Sequence, residues 1–190
     1  MTRMIRIFPI AALAAATLLF AACSTRTTVP SNLGINDAPD WVNQGSQALD
    51  NQGGRLIHGI GSAPAMHDLS LQTSAADERA RTEVARVLSS FIHAVSQDYA
   101  AAAGANAEQQ QNEASVSREI ENVTRQNVAG ARIIAHWRNP DNGALWSLAE
   151  LDMTRIKAMV ASSQEMNSGF KQYFLSHADN LFDNMTGGTR

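Results

Sequence analysis

The first strong pattern in the chain is an almost unbroken apolar stretch from residue 7 to residue 22. It is preceded by Arg3 and Arg6 and ends in small residues. A basic start, a short apolar run and a small-residue exit are typical of a secretory signal peptide. Since a membrane-spanning helix needs about 20 apolar residues, residues 1–22 are predicted to be a signal peptide rather than a retained anchor.

Three short apolar runs further along predict β-strands. The first, Arg55–Ser62, is bounded by glycines. The second and third, Ala131–Arg138 and Ala144–Leu151, are separated by Asn-Pro-Asp-Asn-Gly, which is a strong turn signal. The sequence therefore predicts an antiparallel hairpin from the last two runs.

Apolar residues at intervals of three or four predict helices. A long helix is expected over about residues 69–102, with Leu88 and Phe91 in the core and a solvated opposite face that carries Asp77, Glu78, Arg79, Arg81, Glu83 and Arg86. Its start is ambiguous, because Asp68, Ser70 and the series Ser74–Asp77 are all suitable caps. A weaker helical pattern covers residues 113–128.

A last helix is predicted after Asp152, a suitable N-cap. Gly169 is expected to kink or split it. Its apolar positions continue past the strands through Phe170, Phe174, Leu181 and Phe182. Either this helix folds back as a lid over the sheet, or its apolar face promotes self-association.

The element order β–α–(α)–β–β–α predicts an α+β fold. Its simplest form is a three-stranded antiparallel sheet with a long helix packed on one face and a C-terminal amphipathic helix. Residues 23–38 are polar and predict a flexible tether. The domain is then expected over residues 39–160, followed by a helix and frayed tail over residues 161–190.

Composition narrows the class of protein. The 190 residues carry a net charge of −3, and 17% of them are charged. This mild acidity argues against nucleic-acid binding, which requires a basic surface. The single Cys excludes an internal disulfide and a zinc site built on several cysteines.

Candidate chemistry is sparse. Gly59-Ile-Gly61 lacks the rest of a dinucleotide-binding loop and indicates a sharp turn at a strand end. The five histidines have no ligand spacing, although His58 and His136 both fall on strands and could be neighbours. No Gly-x-Ser-x-Gly nucleophile motif is present, and Glu150 with Asp152 is a poor carboxylate pair. We therefore expect no catalytic residue, cofactor or metal.

Tryptophan offers the remaining candidate surface. Trp137 and Trp146 are predicted to face each other across the hairpin, and Trp41 follows Pro39 at the start of the domain. The usual role of such residues is packing in a core or on a sheet. The alternative is a ligand or partner surface, which would also include the exposed part of Phe170 and Phe174.

The exit of the signal peptide, Leu19-Phe20-Ala21-Ala22-Cys23, resembles a bacterial lipobox, although Phe20 stands where the motif prefers Leu. The resemblance implies that Cys23 is acylated and becomes the new N-terminus. Ser24 follows it, whereas Asp at that place is associated with inner-membrane retention. The resemblance therefore implies an outer-membrane anchor on the periplasmic face, which several acyl chains would make stable.

Four pieces of the domain, in order, resemble the LPP-twenty family of outer-membrane lipoproteins. They are Pro39-Asp-Trp-Val42, Gly59-Ile-Gly61-Ser-Ala63, Ala80-Arg-Thr-Glu-Val-Ala-Arg86, and Trp137 with Trp146-Ser-Leu-Ala-Glu-Leu-Asp152. The resemblance implies a dodecin-like β–α–β–β core without known catalytic residues. Some relatives build flagellar structures beneath the outer membrane, and nothing in this sequence selects that branch.

The leading functional expectation is a non-enzymatic structural or interaction module of the cell envelope. Its partners would be outer-membrane lipid through Cys23, an envelope or flagellar protein, and a second copy of the chain. The alternative is a binding module for a small flat ligand such as a flavin, stacked on Trp137 and Trp146. Quenching of tryptophan emission by flavin distinguishes the two hypotheses.

Overall fold

The structure is a computed structural model that describes residues 34–103, 130–164 and 166–187. The helix predicted over residues 113–128 lies outside this part of the chain. The elements, in chain order, are a one-turn helix α1 (Asp40–Asn43), a 3-10 turn (Gly45–Ala48), β1 (Leu56–Ala63), α2 (Leu69–Ala103), β2 (Arg132–Arg138), β3 (Leu145–Asp152), α3 (Met153–Ser162) and α4 (Ser168–Thr186).

The three strands form one antiparallel sheet in the order β1-β3-β2. Leu56 lies opposite Asp152, and Trp137 lies opposite Trp146. The register of β2 shifts at Ile134, which forms a bulge and is 45% exposed. This confirms the predicted α+β class, with the last strand at the centre of the sheet and with its hairpin in the expected place.

The long helix α2 begins where Asp68 caps it. The Asp68 carboxylate accepts hydrogen bonds from the backbone N–H groups of Ser70 and Leu71, at 2.8 and 3.1 Å. Of the three predicted starts, the first is therefore correct. The helix has 35 residues and is about 52 Å long, about twice the length of an eight-residue strand. Its first half packs on β1 and β3, and its second half packs against α4.

Two glycines of β1 allow α2 to lie directly on the sheet. A Cβ on Gly59 would stand 2.5 Å from the carbonyl oxygen of Ala80 and 2.6 Å from the backbone nitrogen of Val84. Gly61 is equally close to the helix. The prediction that these glycines end a strand at a sharp turn is wrong, because both lie inside β1. They are required by the close approach of the helix backbone.

One large core joins the helix-facing side of the sheet to all three longer helices. Leu88 is 0% exposed and Phe91 is 1% exposed, which confirms their predicted burial. The cluster comprises Ile57, Ala80, Val84, Leu88, Phe91, Ile92, Val95, Ala131, Ala149, Leu151, Met153, Ile156, Val160, Met166, Phe170, Phe174, Ala178 and Phe182. Because the cluster includes residues up to Phe182, the predicted domain boundary after residue 160 does not separate two packing units.

The C-terminal helical region is split in two. Asp152 caps α3 by accepting a hydrogen bond from Thr154 N–H at 2.8 Å, as predicted. The helix ends at Ser162, and Asn167 caps α4 through the backbone N–H groups of Gly169 and Phe170. Gly169 therefore lies in the first turn of α4 and is not the point of the break, because the capping asparagine starts a new helix before it.

Candidate functional site

The side of the sheet that faces away from α2 carries three cross-strand rows. Gly59 and Gly61 face the helix, so the alternate residues of β1 point to the other side. The register places a charged row of His58, Glu150 and Arg132, an apolar row of Ile60, Leu148 and Ala135, and an aromatic row of Ser62, Trp146 and Trp137. This face is the candidate site that contains two of the three predicted tryptophans.

The aromatic row brings Trp137 and Trp146 directly opposite each other, as predicted. Both residues are half-buried. The indole nitrogen Nε1 of Trp146 is buried and has no hydrogen-bond partner among the described residues. A buried N–H without a partner is unfavourable by about 1–3 kcal/mol, so this donor is available to any acceptor that reaches it.

The charged row is organised around Glu150. Its carboxylate lies 3.4 Å from His58 Nε2 and 3.0 Å from the guanidinium of Arg132. His58 is 8% exposed, and Glu150 is also largely covered. Burial lowers the pKa of the His58 imidazole, although the hydrogen bond to Glu150 opposes this effect. At neutral pH, His58 is therefore a neutral partner of the carboxylate, while Arg132 balances its charge.

This face is not uniformly open. Leu148 is 3% exposed and Leu56 is 7% exposed, although both point away from α2. Neither belongs to the core cluster under the helix. The 3-10 turn contacts β1, and the charge of nearby Asp50 partly opposes the lowering of the His58 pKa by burial. The chain before β1 therefore reaches this side of the molecule.

A serine, an aspartate and a histidine meet on the opposite side of the sheet. Asp77 Oδ1 accepts a hydrogen bond from Ser147 Oγ at 2.7 Å and lies 2.7 Å from His136 Nε2. In a nucleophilic triad the histidine bridges the other two residues, whereas here the carboxylate does so. Ser147 is also 0% exposed. The arrangement joins α2 to β2 and β3 and does not expose a nucleophile.

Sequence reasoning missed this cluster because it assigned the charged face of α2 to solvent. Asp77 bonds to both strands, Arg79 donates to the carbonyl of Ser62, and Arg81 donates to that of Ala131. The solvated-face prediction is wrong for Asp77 and Arg81, which are half-buried, whereas Arg79 is exposed as predicted. The signal in the sequence was Ser147, a polar residue at an apolar-facing position of β3.

The two strand histidines do not form a pair. His58 lies on β1 and His136 on β2, at opposite edges of the sheet and on opposite faces. The suggestion that they are neighbours is wrong, because β3 separates them. Among the described residues, no group of three or more histidine, cysteine or acidic side chains could hold a metal ion.

The remaining predicted site residues are dispersed. Trp41 is half-buried in α1, and no ring-to-ring contact of the described residues includes a tryptophan. Cys23 lies outside the described residues. Phe170 and Phe174 are 1% and 0% exposed, so their assignment to a partner surface is wrong. They pack on Tyr99 and Phe91 inside the domain.

Comparison with protein-family models and with curated proteins finds no match for this chain. The resemblance to the LPP-twenty lipoproteins therefore stays a prediction. In the part of the chain that the structure describes, no helix combines the length and the apolar character needed to cross a bilayer.

Proposed function

We propose that the protein is a lipoprotein of the outer membrane that faces the periplasm and acts as a non-enzymatic structural or interaction module of the envelope. The observation that carries the proposal is the single Cys of the chain, Cys23, placed between an apolar export-like segment and the domain. The predicted tether of residues 23–38 links it to that domain, and the large core cluster of the described residues begins at Ile57.

The constellation of Asp77, Ser147 and His136 supports the non-enzymatic part of the proposal. It brings together the three residue types of a hydrolase triad, but its serine is buried and donates to the carboxylate. The aromatic row of Ser62, Trp146 and Trp137, whose two tryptophans are half-buried, offers a surface for an envelope or flagellar partner. Self-association remains part of the proposal, but it cannot use Phe170 and Phe174.

Lipidation is tested on the chain expressed in a Gram-negative bacterium. We expect mass spectrometry to find an N-terminal peptide that begins at acylated Cys23, and membrane fractionation to place the protein in the outer membrane. Cys23→Ala should leave the precursor uncleaved. Ser24→Asp should keep the lipid and move the protein to the inner membrane, whereas Ser24→Ala should change neither. A chain that keeps Met1 and a free thiol contradicts the proposal.

One observation favours a second candidate, the binding of a small flat ligand. Trp137 and Trp146 are directly opposite each other, and the Trp146 N–H is a buried donor without a described partner. A planar ligand with an acceptor at its edge would stack on an indole and accept that hydrogen bond. Titration with flavin mononucleotide should then quench tryptophan emission in the wild type and in Trp41→Phe, but far less in Trp146→Phe. Equal quenching in all three contradicts this candidate.

A further inference from the structure

A cleft lies between the second half of α2 and the end of α4, at a distance from the three rows of the sheet. Its volume is about 210 Å³, and it is lined by Phe91, Ala94, Val95, Asp98, Leu181 and Met185. Phe91 and Val95 are each 1% exposed and form its inner wall, whereas Met185 is 44% exposed and forms part of its rim. The cleft is therefore apolar inside and open to solvent.

Asp98 is the charged member of this lining. One oxygen of its carboxylate, Oδ2, accepts a hydrogen bond from the hydroxyl of Tyr173. The ring of Tyr173 is held between Tyr99 and His177, at centroid distances of 5.4 and 4.3 Å. The hydrogen bond to Asp98 raises the pKa of the Tyr173 hydroxyl, so the phenol keeps its proton and holds the carboxylate in place.

The Asp98 carboxylate can accept a further hydrogen bond. An ionised aspartate has about four acceptor positions on its two oxygens, and Tyr173 is the donor that the described residues supply. A negative group at the edge of an apolar wall favours a cation with an apolar stem, just as lysine side chains lay their methylenes on apolar surface and keep their charge in water. An anion would be repelled by Asp98.

We propose that the cleft binds an aliphatic ammonium ion, with its alkyl stem along Phe91, Val95 and Leu181 and its ammonium group on Asp98. The volume is below the about 300 Å³ at which pockets for drug-sized ligands begin. The ligand is therefore smaller than a drug-sized molecule, as a lysine side chain or a short alkylamine is. Its source is either a free alkylamine or a lysine of another protein, and the two share the same chemistry at the site.

The test compares n-pentylamine with 1-pentanol, which has a similar shape and no charge. The full chain is labelled with ¹³C in its methionine methyl groups and studied in detergent micelles, with the Met185 signal assigned through Met185→Leu. Pentylamine should shift the Met185 methyl signal at about two- to fivefold lower concentration than pentanol, because Asp98 is exposed. Asp98→Asn should remove this difference, and Asp141→Asn, a change at an exposed aspartate of the hairpin turn, should preserve it.

Three results would overturn the proposal. The first is an equal response to both compounds in the wild type, and the second is a preference for the amine that persists in Asp98→Asn. The third is the absence of any Met185 shift with pentylamine. A further titration with Nα-acetyl-lysine methylamide, which keeps the ammonium group of the side chain, identifies the source. Binding as tight as that of pentylamine supports a lysine of a partner protein, whereas binding of pentylamine alone supports a free amine.

Discussion

Gly61 lies so close to α2 that a Cβ on it would stand 2.2 Å from the backbone nitrogen of Ala80. Because the obstacle is helix backbone, no side chain can rotate away to make room. Gly61→Ala should therefore lower the free energy of unfolding by about 3 kcal/mol or more, at the upper end of the range for overpacking.

Chemical denaturation of Gly61→Ala and of Gly34→Ala checks this prediction. Gly34 has no atom within 4 Å of its added Cβ, so its substitution should change the free energy of unfolding by less than about 0.5 kcal/mol. Similar stability of the two variants would mean that α2 lies further from β1 than the structure places it.

Gln72 ties the start of α2 to the hairpin. It is 0% exposed, and its Nε2 donates to the carbonyl oxygens of Pro64 and Gly143 at 2.9 and 2.8 Å. Gln72→Glu would place a carboxylate against these oxygens, so we expect a loss of about 3–5 kcal/mol, as for an uncompensated buried charge. Gln72→Met removes the donor without adding a charge and should cost about 1–3 kcal/mol.

The pH dependence of Gln72→Glu provides an internal control. A protonated carboxyl group can donate to one of the two carbonyls, so the gap between the Glu and Met variants should narrow as the pH is lowered. Thermal unfolding from pH 7 to pH 4 measures this gap. A constant gap would indicate that the side chain does not face the carbonyls.

His58 should make stability depend on pH. Burial lowers its pKa in the folded state below the ordinary 6.5 of an imidazole, so the unfolded chain binds more protons in that range. The contribution of the neutral imidazole is then complete above about pH 6.5 and is lost as the pH falls through the folded-state pKa.

Melting temperatures of the wild type and of His58→Asn between pH 7.5 and pH 4.5 test this sign. The advantage of the wild type should shrink as the pH falls, because only the wild type must protonate a buried ring. His67→Asn, at an exposed position, should follow the wild-type profile. An advantage that grows on acidification would show that the ion pair with Glu150 outweighs burial.

Two adjacent residues of α4 differ sharply in their exposure to solvent. Phe174 is 0% exposed and Leu175 is 38% exposed. We expect Phe174→Ala to cost about 3–5 kcal/mol, as usual for an aromatic residue removed from a core, and Leu175→Ala to cost less than about 0.5 kcal/mol. Sedimentation of both variants should match that of the wild type. If Phe174→Ala were as stable as the wild type but had a different oligomeric state, the face of α4 that carries Phe174 would be an association surface after all.

Patterns that are local along the chain predicted the fold well. The apolar runs of β1 and β3, the turn before Gly143 and the spacing in α2 are each contained in short segments, because they reflect the geometry of a single element. The opposition of Trp137 and Trp146 followed from the turn alone, since turn length determines the register of a hairpin.

Features that depend on how elements pack together could not be predicted in the same way. The amphipathic pattern of the last helix shows that Phe170 and Phe174 are buried by something. It does not show whether they pack against a second molecule or against α2. The bonds of Asp77 to β2 and β3 require the position of the helix over the sheet, which no local pattern contains. The cleft at Asp98 also exists only because α4 returns along α2.

The register of the sheet has a consequence for the timing of folding. Among the described strands, β1 pairs with β3 alone, so Leu56 pairs with Asp152 although α2 and β2 lie between them in the chain. Contacts of such long range form slowly, because closing the loop loses chain entropy before any pairing is gained. The apolar β1 segment therefore stays without its partner strand until β3 reaches it, so the pairing of these two strands should be a late step of folding.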